Sequence, residues 1–205
     1  MNKRNAYLLT VNEKSARTIF SKKILLDIGF NVIIFKAIPN KNKVLSNKIS
    51  MQEIYKKIIN SNQKWNYVFE DDINIRERIK LDHIIEYENI SKKIIYLGFL
   101  SQHHGDSLSN NDYHYIINKK IRGNEIYKSK GKTRGLHAIG ITRKGAKELL
   151  EFSKVYKGEL NNYMDVILEK FTKNNHATLI FNKKYDKYHR GLFYQDRTKF
   201  PSIIS

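Results

Sequence analysis

The sequence predicts a single α/β domain in which strands and helices alternate around a central, mostly parallel sheet, followed by a second half of mixed structure. Two observations support this prediction. Short apolar runs alternate with segments of helical periodicity, at the spacing expected for parallel strands joined by crossover helices. The 205 residues, 40% of them hydrophobic, suffice for one sizeable core, and no repeat or low-complexity linker divides them.

The first half contains the clearest alternation. Residues 6–11 are typical of a buried strand, Asn12 is a candidate N-cap for the next helix, and Gly29 can take the left-handed conformation that ends it. The further elements predicted here are a strand at 31–38, a helix opened by the capping-box pattern Ser50-Met51-Gln52-Glu53, a strand ending at Glu70 and a strand at 94–100. This order of elements is typical of a nucleotide-binding half-domain.

The second half is less regular. A long polar loop is expected from about Ser101, and loops of that length in a compact domain usually serve a function. The elements predicted after it are short strands at 113–117 and 125–127, a strand at 136–141, helices at 142–152 and 161–172, a strand at 177–181 and an irregular tail from Asn182.

The most informative local feature is an apolar strand that ends in three adjacent carboxylates, Glu70, Asp71 and Asp72. A strand interior cannot hold unpaired charge, so the acids must lie where the strand leaves the sheet, which is where α/β proteins bind ligands. Three carboxylates repel one another unless a cation joins them, and a divalent metal carrying phosphates would do so. A solvated strand end, or pairing with basic side chains, remains the alternative.

The composition limits the classes of function. A formal charge of +18 implies attraction to polyanions such as nucleic acid, nucleotide phosphates or an anionic membrane face. The lysines are spread along the chain, and no recognisable nucleic-acid-binding motif accompanies them. The absence of cysteine excludes disulfides, and no apolar stretch approaches the ~20 residues of a membrane span. The apolar part of the first ten residues is too short for a signal peptide, so a cytoplasmic protein is expected.

A resemblance adds to this interpretation. Residues 135–150, GLHAIGITRKGAKELL, resemble the strand-then-helix segment of glycosyltransferase family 25. Three further segments resemble the family's motifs and occur in its order: Phe69-Glu70-Asp71-Asp72, Met164-Asp165-Val166, and Gln195 with Pro201-Ser202-Ile203. The family's first strand ends in Asn-Leu, whereas Thr10-Val11 stands at that place in this chain, with Arg17 at the spacing of a family arginine.

The resemblance implies a fold and an activity. The family, which includes lipooligosaccharide glycosyltransferases and collagen hydroxylysine galactosyltransferases, resembles GT-A enzymes. Its Rossmann-like half, about 1–100 in this chain, would bind a nucleotide sugar such as UDP-galactose or UDP-glucose, and about 101–205 would supply the acceptor and catalytic half. Mn²⁺ or Mg²⁺ would stabilise the leaving diphosphate. The expected acceptor is a hydroxyl of a glycan or protein whose oxygen attacks C1 of the donor sugar with inversion, in the cytoplasm of a bacterium or of the host of a virus.

The resemblance also assigns residues. Asp72 would be the metal ligand, with His189 completing the metal shell. The donor would contact Glu70 and Asp71, together with Thr10, Arg17, His137 and Gln195. Asp71 as a turn cap, His189 as a surface histidine and His137 as a core histidine are the alternatives.

Asp165 is the candidate general base that removes the acceptor's proton, and an ordinary aspartate of a first helical turn is the alternative. Arg17, Arg134 and Arg143 are candidate phosphate contacts, although exposed helix positions would explain them equally. A different class of function, a basic nucleic-acid-binding protein or a metal-dependent nuclease, is the second hypothesis for the chain as a whole.

Overall fold

The computed structural model describes residues 3–101, 114–129, 133–175, 177–181 and 189–201. The strands are β1 Asn5–Thr10, β2 Asn31–Lys36, β3 Trp65–Glu70, β4 Ile73–Ile75, β5 Ile94–Ser101, β6 His114–Ile121, β7 Asn124–Ser129, β8 Thr133–Thr142, β9 Thr178–Phe181, β10 His189–Gly191 and β11 Phe193–Gln195. The helices are α1 Ala16–Ile28, α2 Lys43–Ile59, α3 Leu81–Glu88, α4 Arg143–Val155 and α5 Met164–Asn175.

Most strands of the central sheet run in one direction. Its order is β2-β1-β3-β8-β5-β9-β7-β6, and β10 pairs with β5. β1 is parallel to both β2 and β3, and β9 is parallel to β5. β8 runs antiparallel between β3 and β5, and β7 runs antiparallel to both of its neighbours. The predicted α/β class with a large, mostly parallel sheet is confirmed, with one antiparallel strand near its centre.

Two apolar layers cover the faces of this sheet. Residues of β1 and β3 alternate between them, with Leu9 and Val68 facing one layer and Leu8 and Phe69 facing the other. The first layer contains the buried sides of α2, α4 and α5, and the second contains those of α1 and α3. This period-two alternation fixes the register, because a shift of one residue would turn every apolar side chain to the wrong face.

The strand pairing brings three chain segments to one edge of the sheet. Leu9 of β1 pairs with Glu70 of β3, so the carboxyl ends of these parallel strands lie side by side. Phe69 pairs with Ala138 of the antiparallel β8, which places the residues just before Ala138 at the same edge. A two-stranded sheet of β4 and β11 holds the C-terminal segment beside the acids that follow β3.

Several local predictions are wrong. The second helix begins at Lys43 with Asn42 as its cap, so Ser50 lies inside α2, where its hydroxyl donates to the Ser46 carbonyl and accepts from Ile38 N. Ser15, and not Asn12, caps α1. The tail was expected to be irregular, yet β10 and β11 form there because each pairs with a strand distant in the sequence.

The predicted loop from about Ser101 falls largely on residues 102–113, outside the described residues. None of the helices in the described part of the chain is both long and apolar enough to cross a bilayer.

Candidate active site

A cavity of about 970 Å³ opens at the carboxyl ends of β1 and β3. Both halves of the chain contribute to its wall. The residues that determine its chemistry are Thr10, Arg17, Lys36, Lys43, Glu70, Asp71, Asp72, Tyr163, Asp165, Gln195 and Arg197. The structure therefore brings together the residues that the sequence predicted on β1, α1, β3, α5 and β11.

Asp71 is bonded to the protein through both of its carboxylate oxygens. Thr10 Oγ1 and Thr18 Oγ1 donate to Oδ2 at 2.6 and 3.2 Å, and Arg17 Nε lies 2.8 Å from Oδ1. Ser21 Oγ donates to the Asp71 carbonyl at 2.9 Å. Asp71 thus joins the ends of β1 and β3 to α1. Of the contacts predicted for it, the one observed is with a neighbouring basic group.

Asp72 is flanked by two arginines and a glutamine. Its Oδ2 atom lies 3.3 Å from Arg17 Nη2 and 3.7 Å from Arg197 Nε. Gln195 Nε2 lies 3.4 Å from each Asp72 oxygen. Burial raises the pKa of Asp72, although the guanidinium groups of Arg17 and Arg197 oppose that rise. The positive charge beside this carboxylate therefore comes from the protein itself.

Glu70 is half-buried and shares the same glutamine. Gln195 Nε2 donates to Glu70 Oε2 at 2.9 Å. Burial, followed by the nearby charges of Asp72 and Asp165, raises the pKa of Glu70 to about 8. At this pKa the protonated form of Glu70 is favoured at neutral pH.

Asp165 lies in the first turn of α5 and lines the same cavity. Its Oδ1 accepts a hydrogen bond from Val166 N at 2.9 Å. Burial raises the pKa of Asp165, while that hydrogen bond and the charge of Arg134 oppose the rise. Arg134 itself pairs with Glu169 at 2.7 Å. Neither residue is among the described residues that line the cavity. A half-buried carboxylate whose pKa is raised suits a general base.

The C-terminal segment closes the acidic end of β3. Gln195 pairs with Ile73 in the small sheet, and Asp196 N donates to the Asp72 carbonyl at 2.8 Å. Arg197 follows directly, and its Nη2 donates to Gln195 Oε1 at 3.1 Å. Sequence reasoning missed Arg197, because one basic residue in a strongly basic chain gives no signal. Arg197 lies at the cavity because β11, which precedes it, pairs with β4.

His137 lies in the core, at a position that gives no support to its predicted contact with the donor. Its side chain is fully buried and is not among the described residues of the cavity wall. A Cβ atom added to Gly98 would lie 2.6 Å from His137 Nε2, and one added to Gly135 would lie 3.0 Å from Nδ1. The imidazole thus occupies space beside β5 and beside its own strand β8 that a side chain at Gly98 or Gly135 would fill. This is the position that the core-histidine alternative predicts.

His189 begins β10 and pairs with Leu100 in the sheet. Its side chain lies outside the part of the chain whose side chains are described, so its role as a metal ligand stays a prediction.

Exposed and basic side chains form the outer wall of the cavity. Val11 and Tyr163 line it although 58% and 42% of their surfaces are exposed. Lys36 and Lys43 contribute on the side of β2 and α2. The cavity thus combines an acidic floor with a rim that offers apolar and cationic contacts, which suits a polar ligand bearing negative charge.

The side chains in place do not fit the predicted divalent metal. No three histidine, aspartate or glutamate side chains of the described residues converge on one point. The oxygens of Asp71 are occupied by Thr10, Thr18 and Arg17. A dication on Asp72 Oδ2 would lie beside two guanidinium groups and be repelled by them. Mn²⁺ or Mg²⁺ therefore remains a prediction from the family resemblance.

Comparison with known proteins gives one family match. The profile of glycosyltransferase family 25, described as LPS biosynthesis protein, matches residues 48–168, more than half of the chain. No curated protein matches the chain. Both β3 with its acids and the segment from β8 to the start of α5 lie within the matched residues.

Solved structures resemble the chain more distantly. A UDP-glucose pyrophosphorylase complexed with UDP-glucose is 10% identical over 87% of this chain and 90% of that one, with a TM-score of 0.49. A candidate glucose-1-phosphate thymidylyltransferase from Bacillus anthracis, in complex with sucrose, is 10% identical over 87% and 86%, with a TM-score of 0.47. Neither likeness is close enough to indicate function.

Proposed function

The chain belongs to glycosyltransferase family 25, and from that membership we propose that it transfers a hexose from a nucleotide sugar to a hydroxyl group of a glycan or glycoprotein. The donor class expected from the family is UDP-galactose or UDP-glucose. From the family resemblance we also propose a role in lipooligosaccharide synthesis, and from the sequence a cytoplasmic location. The net charge of +18 would allow contact with an anionic membrane surface.

One observation carries this proposal: Asp165 of the second half and the acids after β3 line a single cavity at the carboxyl ends of β1 and β3. Ligands of open α/β proteins bind at this edge. A cavity of about 970 Å³ is large enough for a nucleotide sugar, and its wall includes contributions from both halves. The predicted donor half and acceptor half thus meet at one site.

The reaction requires one proton acceptor and a means of stabilising the leaving group. As the acceptor oxygen forms its bond to C1 of the sugar, its proton passes to an oxygen of Asp165. The bond from C1 to the phosphate oxygen breaks, and its electron pair remains on the nucleoside diphosphate. Attack from the face opposite the diphosphate inverts C1. The raised pKa of Asp165 makes it a stronger base than an ordinary aspartate.

Tyr163 is suited to hold the acceptor. It precedes the first turn of α5 by one residue, lines the cavity and exposes 42% of its surface. An aromatic ring with an exposed face packs against the apolar face of a hexose while its hydroxyl remains in water. This would place an acceptor sugar within reach of the neighbouring Asp165.

A panel of nucleotide sugars tests the proposal. Each donor is incubated with the protein and simple glycan acceptors, with and without Mn²⁺, and released nucleoside diphosphate is measured. Donor turnover by the parent, with a large loss in Asp165→Asn, is the expected result. A ligand at 100 times its dissociation constant should also stabilise the protein by about 2.7 kcal/mol, which a thermal shift would detect. Absence of turnover and of thermal shift with every donor would contradict the proposal.

The nucleic-acid hypothesis rests on net charge alone. Two-metal nucleases need several acids around their metals, whereas Asp71 and Asp72 face arginines in this structure. A DNA affinity that falls steeply with salt concentration, in a protein without donor turnover, would favour it instead.

A further inference from the structure

Two guanidinium groups converge on one carboxylate oxygen at the floor of the cavity. Arg17 Nη2 and Arg197 Nε lie 3.3 and 3.7 Å from Asp72 Oδ2. They approach from opposite ends of the sequence, since Arg17 lies in the first turn of α1 and Arg197 lies just beyond β11. Asp72 therefore holds a pair of cations side by side in the wall of the proposed donor site.

The two arginines differ in how firmly they are fixed. Arg17 is 13% exposed, and it also contacts Asp71 and donates to the Pro201 carbonyl at 3.3 Å. Arg197 is 46% exposed and donates to Gln195 Oε1. Arg17 is thus a fixed part of the floor, whereas Arg197 presents an accessible guanidinium that is oriented by Gln195 and Asp72.

A pair of oriented guanidinium groups is complementary to a diphosphate. Arginine presents planar N–H donors that match phosphate oxygens, and two arginines can contact both phosphates at once. A dication on the same carboxylate would have to displace or tolerate these cations. The residues in place therefore favour binding of phosphate by arginine over binding of phosphate by a carboxylate-held metal.

We propose that the diphosphate of the donor binds against Arg17 and Arg197, and that these groups supply the positive charge which a divalent metal was predicted to supply. The proposal rests on the proposed function, since it concerns the donor of that reaction. Asp72 then acts as a positioning residue that holds the two arginines together. When the bond from C1 breaks, the charge left on the diphosphate is stabilised by the guanidinium pair.

Binding of nucleoside diphosphates in the presence of EDTA tests this directly. Isothermal titration with UDP, GDP and CDP is carried out on the intact chain, first with EDTA and then with Mn²⁺ in place of EDTA. We expect at least one of the three to bind with EDTA present, and Mn²⁺ to change its affinity by less than about threefold. UMP, which lacks the second phosphate, should bind clearly more weakly than UDP if UDP is the ligand.

Arg197 is the residue to change, because 46% of its side chain is exposed and it contributes little to the buried core. Arg197→Gln should weaken binding of the diphosphate about 10- to 100-fold, the range for a lost hydrogen bond to a charged group. Arg197→Lys keeps the positive charge but lacks the planar set of N–H donors, so it should weaken binding of the diphosphate less than Arg197→Gln does. Lys57→Gln, an exposed position on α2 outside the cavity wall, removes the same charge and should leave affinity unchanged. Thermal melts check that all variants are folded.

The outcomes separate this inference from the proposed function. Binding that disappears with EDTA and returns with Mn²⁺ would overturn the assignment of the diphosphate to the two arginines. Donor turnover in the same preparation would still support the proposed glycosyltransferase activity. Parent-like affinity in a folded Arg197→Gln variant would also overturn the assignment. If no diphosphate binds in either buffer and no donor is turned over, both proposals fail.

Discussion

Gln195 Nε2 lies 2.9 Å from Glu70 Oε2, although 125 positions separate the two residues in the sequence. The same amide nitrogen lies 3.4 Å from both oxygens of Asp72, and the side-chain oxygen Oε1 of Gln195 accepts from Arg197. Gln195 thus connects the acidic residues Glu70 and Asp72 at the end of β3 to the basic residue Arg197 in the C-terminal segment. The site is complete only when β11 has paired with β4.

Replacing Gln195 should therefore affect both stability and the site. Gln195→Ala leaves Glu70 and Asp72 without their shared donor, and a buried acceptor that loses its partner costs about 1–3 kcal/mol in free energy of unfolding. Urea denaturation measures this loss, and UDP titration should show a weaker complex because Arg197 loses its orientation. Gln52→Ala, which removes a glutamine bonded to Ser153, is the control and should leave UDP affinity unchanged, because neither residue is among the described residues that line the cavity. Equal UDP affinity in both variants would show that Gln195 does not organise the site.

Asp71 and Asp72 should respond differently to the same substitution. From the sequence alone, Asp71→Asn would be the milder change. The structure predicts the reverse for stability, because Asp71 accepts from Thr10 and Thr18 and lies 2.8 Å from Arg17. The contacts of Asp72 with Arg17, Gln195 and Arg197 are longer, at 3.3, 3.4 and 3.7 Å. Breaking a buried ion pair costs roughly 3–5 kcal/mol. Asp71→Asn should therefore lower the free energy of unfolding by about 3 kcal/mol.

Asp72→Asn should instead keep most of the stability and alter ligand binding, because its loss releases Arg17 and Arg197 from each other. Paired measurements of chemical denaturation and UDP affinity on the two variants distinguish these effects. A more stable Asp71→Asn than Asp72→Asn would contradict the structural assignment of Asp71.

Gly98 should tolerate no side chain. A Cβ atom there would lie 2.6 Å from His137 Nε2 and 2.6 Å from the Phe193 carbonyl oxygen, distances that real Cβ atoms do not show. Because Phe193 belongs to β11, Gly98→Ala should move the strand that carries Gln195 and lower stability by about 1–3 kcal/mol. Gly158→Ala serves as the control, because the atoms nearest to its added Cβ belong to the outer end of the half-buried Tyr156 side chain and not to backbone. Similar melting temperatures for the two variants would argue against this close packing.

The sequence predicted those parts of the fold that depend on local pattern. The strand ending at Glu70 was recognisable from its apolar run, and the strand-helix segment around Thr142 from its apolar pattern and its resemblance to the family. Thr142 caps α4, since its hydroxyl accepts from Gly145 N. The cap of α2 was wrong because Ser50 has the residue type of a cap but bonds within the helix to Ser46. Residue type alone cannot distinguish these two uses of a serine hydroxyl.

The parts of the site that escaped prediction depend on pairing between distant segments. β10 and β11 are three residues each, too short for a periodic signal, and they exist because β5 and β4 supply partners. Arg197 lies at the cavity only through that pairing. The polar partners of Asp71 and Asp72 were equally hidden, since a sequence shows that acids are adjacent but not which cations fold against them.

Asp165 offers the sharpest test of the chemistry, because its two interpretations predict opposite changes in stability. As a general base, its replacement by asparagine should lower kcat roughly 10²–10⁴-fold with little change in donor affinity. As an ordinary first-turn aspartate, its loss would cost about 0.5–2 kcal/mol of stability with little effect on turnover. Its raised pKa supports the first, since burial makes the ionised form unfavourable in the folded protein.

The pH dependence follows from the direction of that shift. The folded protein holds the Asp165 proton more tightly than the unfolded chain, so stability falls as pH rises from the ordinary aspartate range through the raised pKa. Asp165→Asn removes this penalty: it should melt like the parent at low pH and at a higher temperature than the parent at pH 7. Turnover in the parent should decline as pH falls below the raised pKa, where the base is protonated. Asp27→Asn, at an exposed position, should change neither profile. A less stable Asp165→Asn variant with normal turnover would identify Asp165 as a helix-terminal residue and remove it from the mechanism.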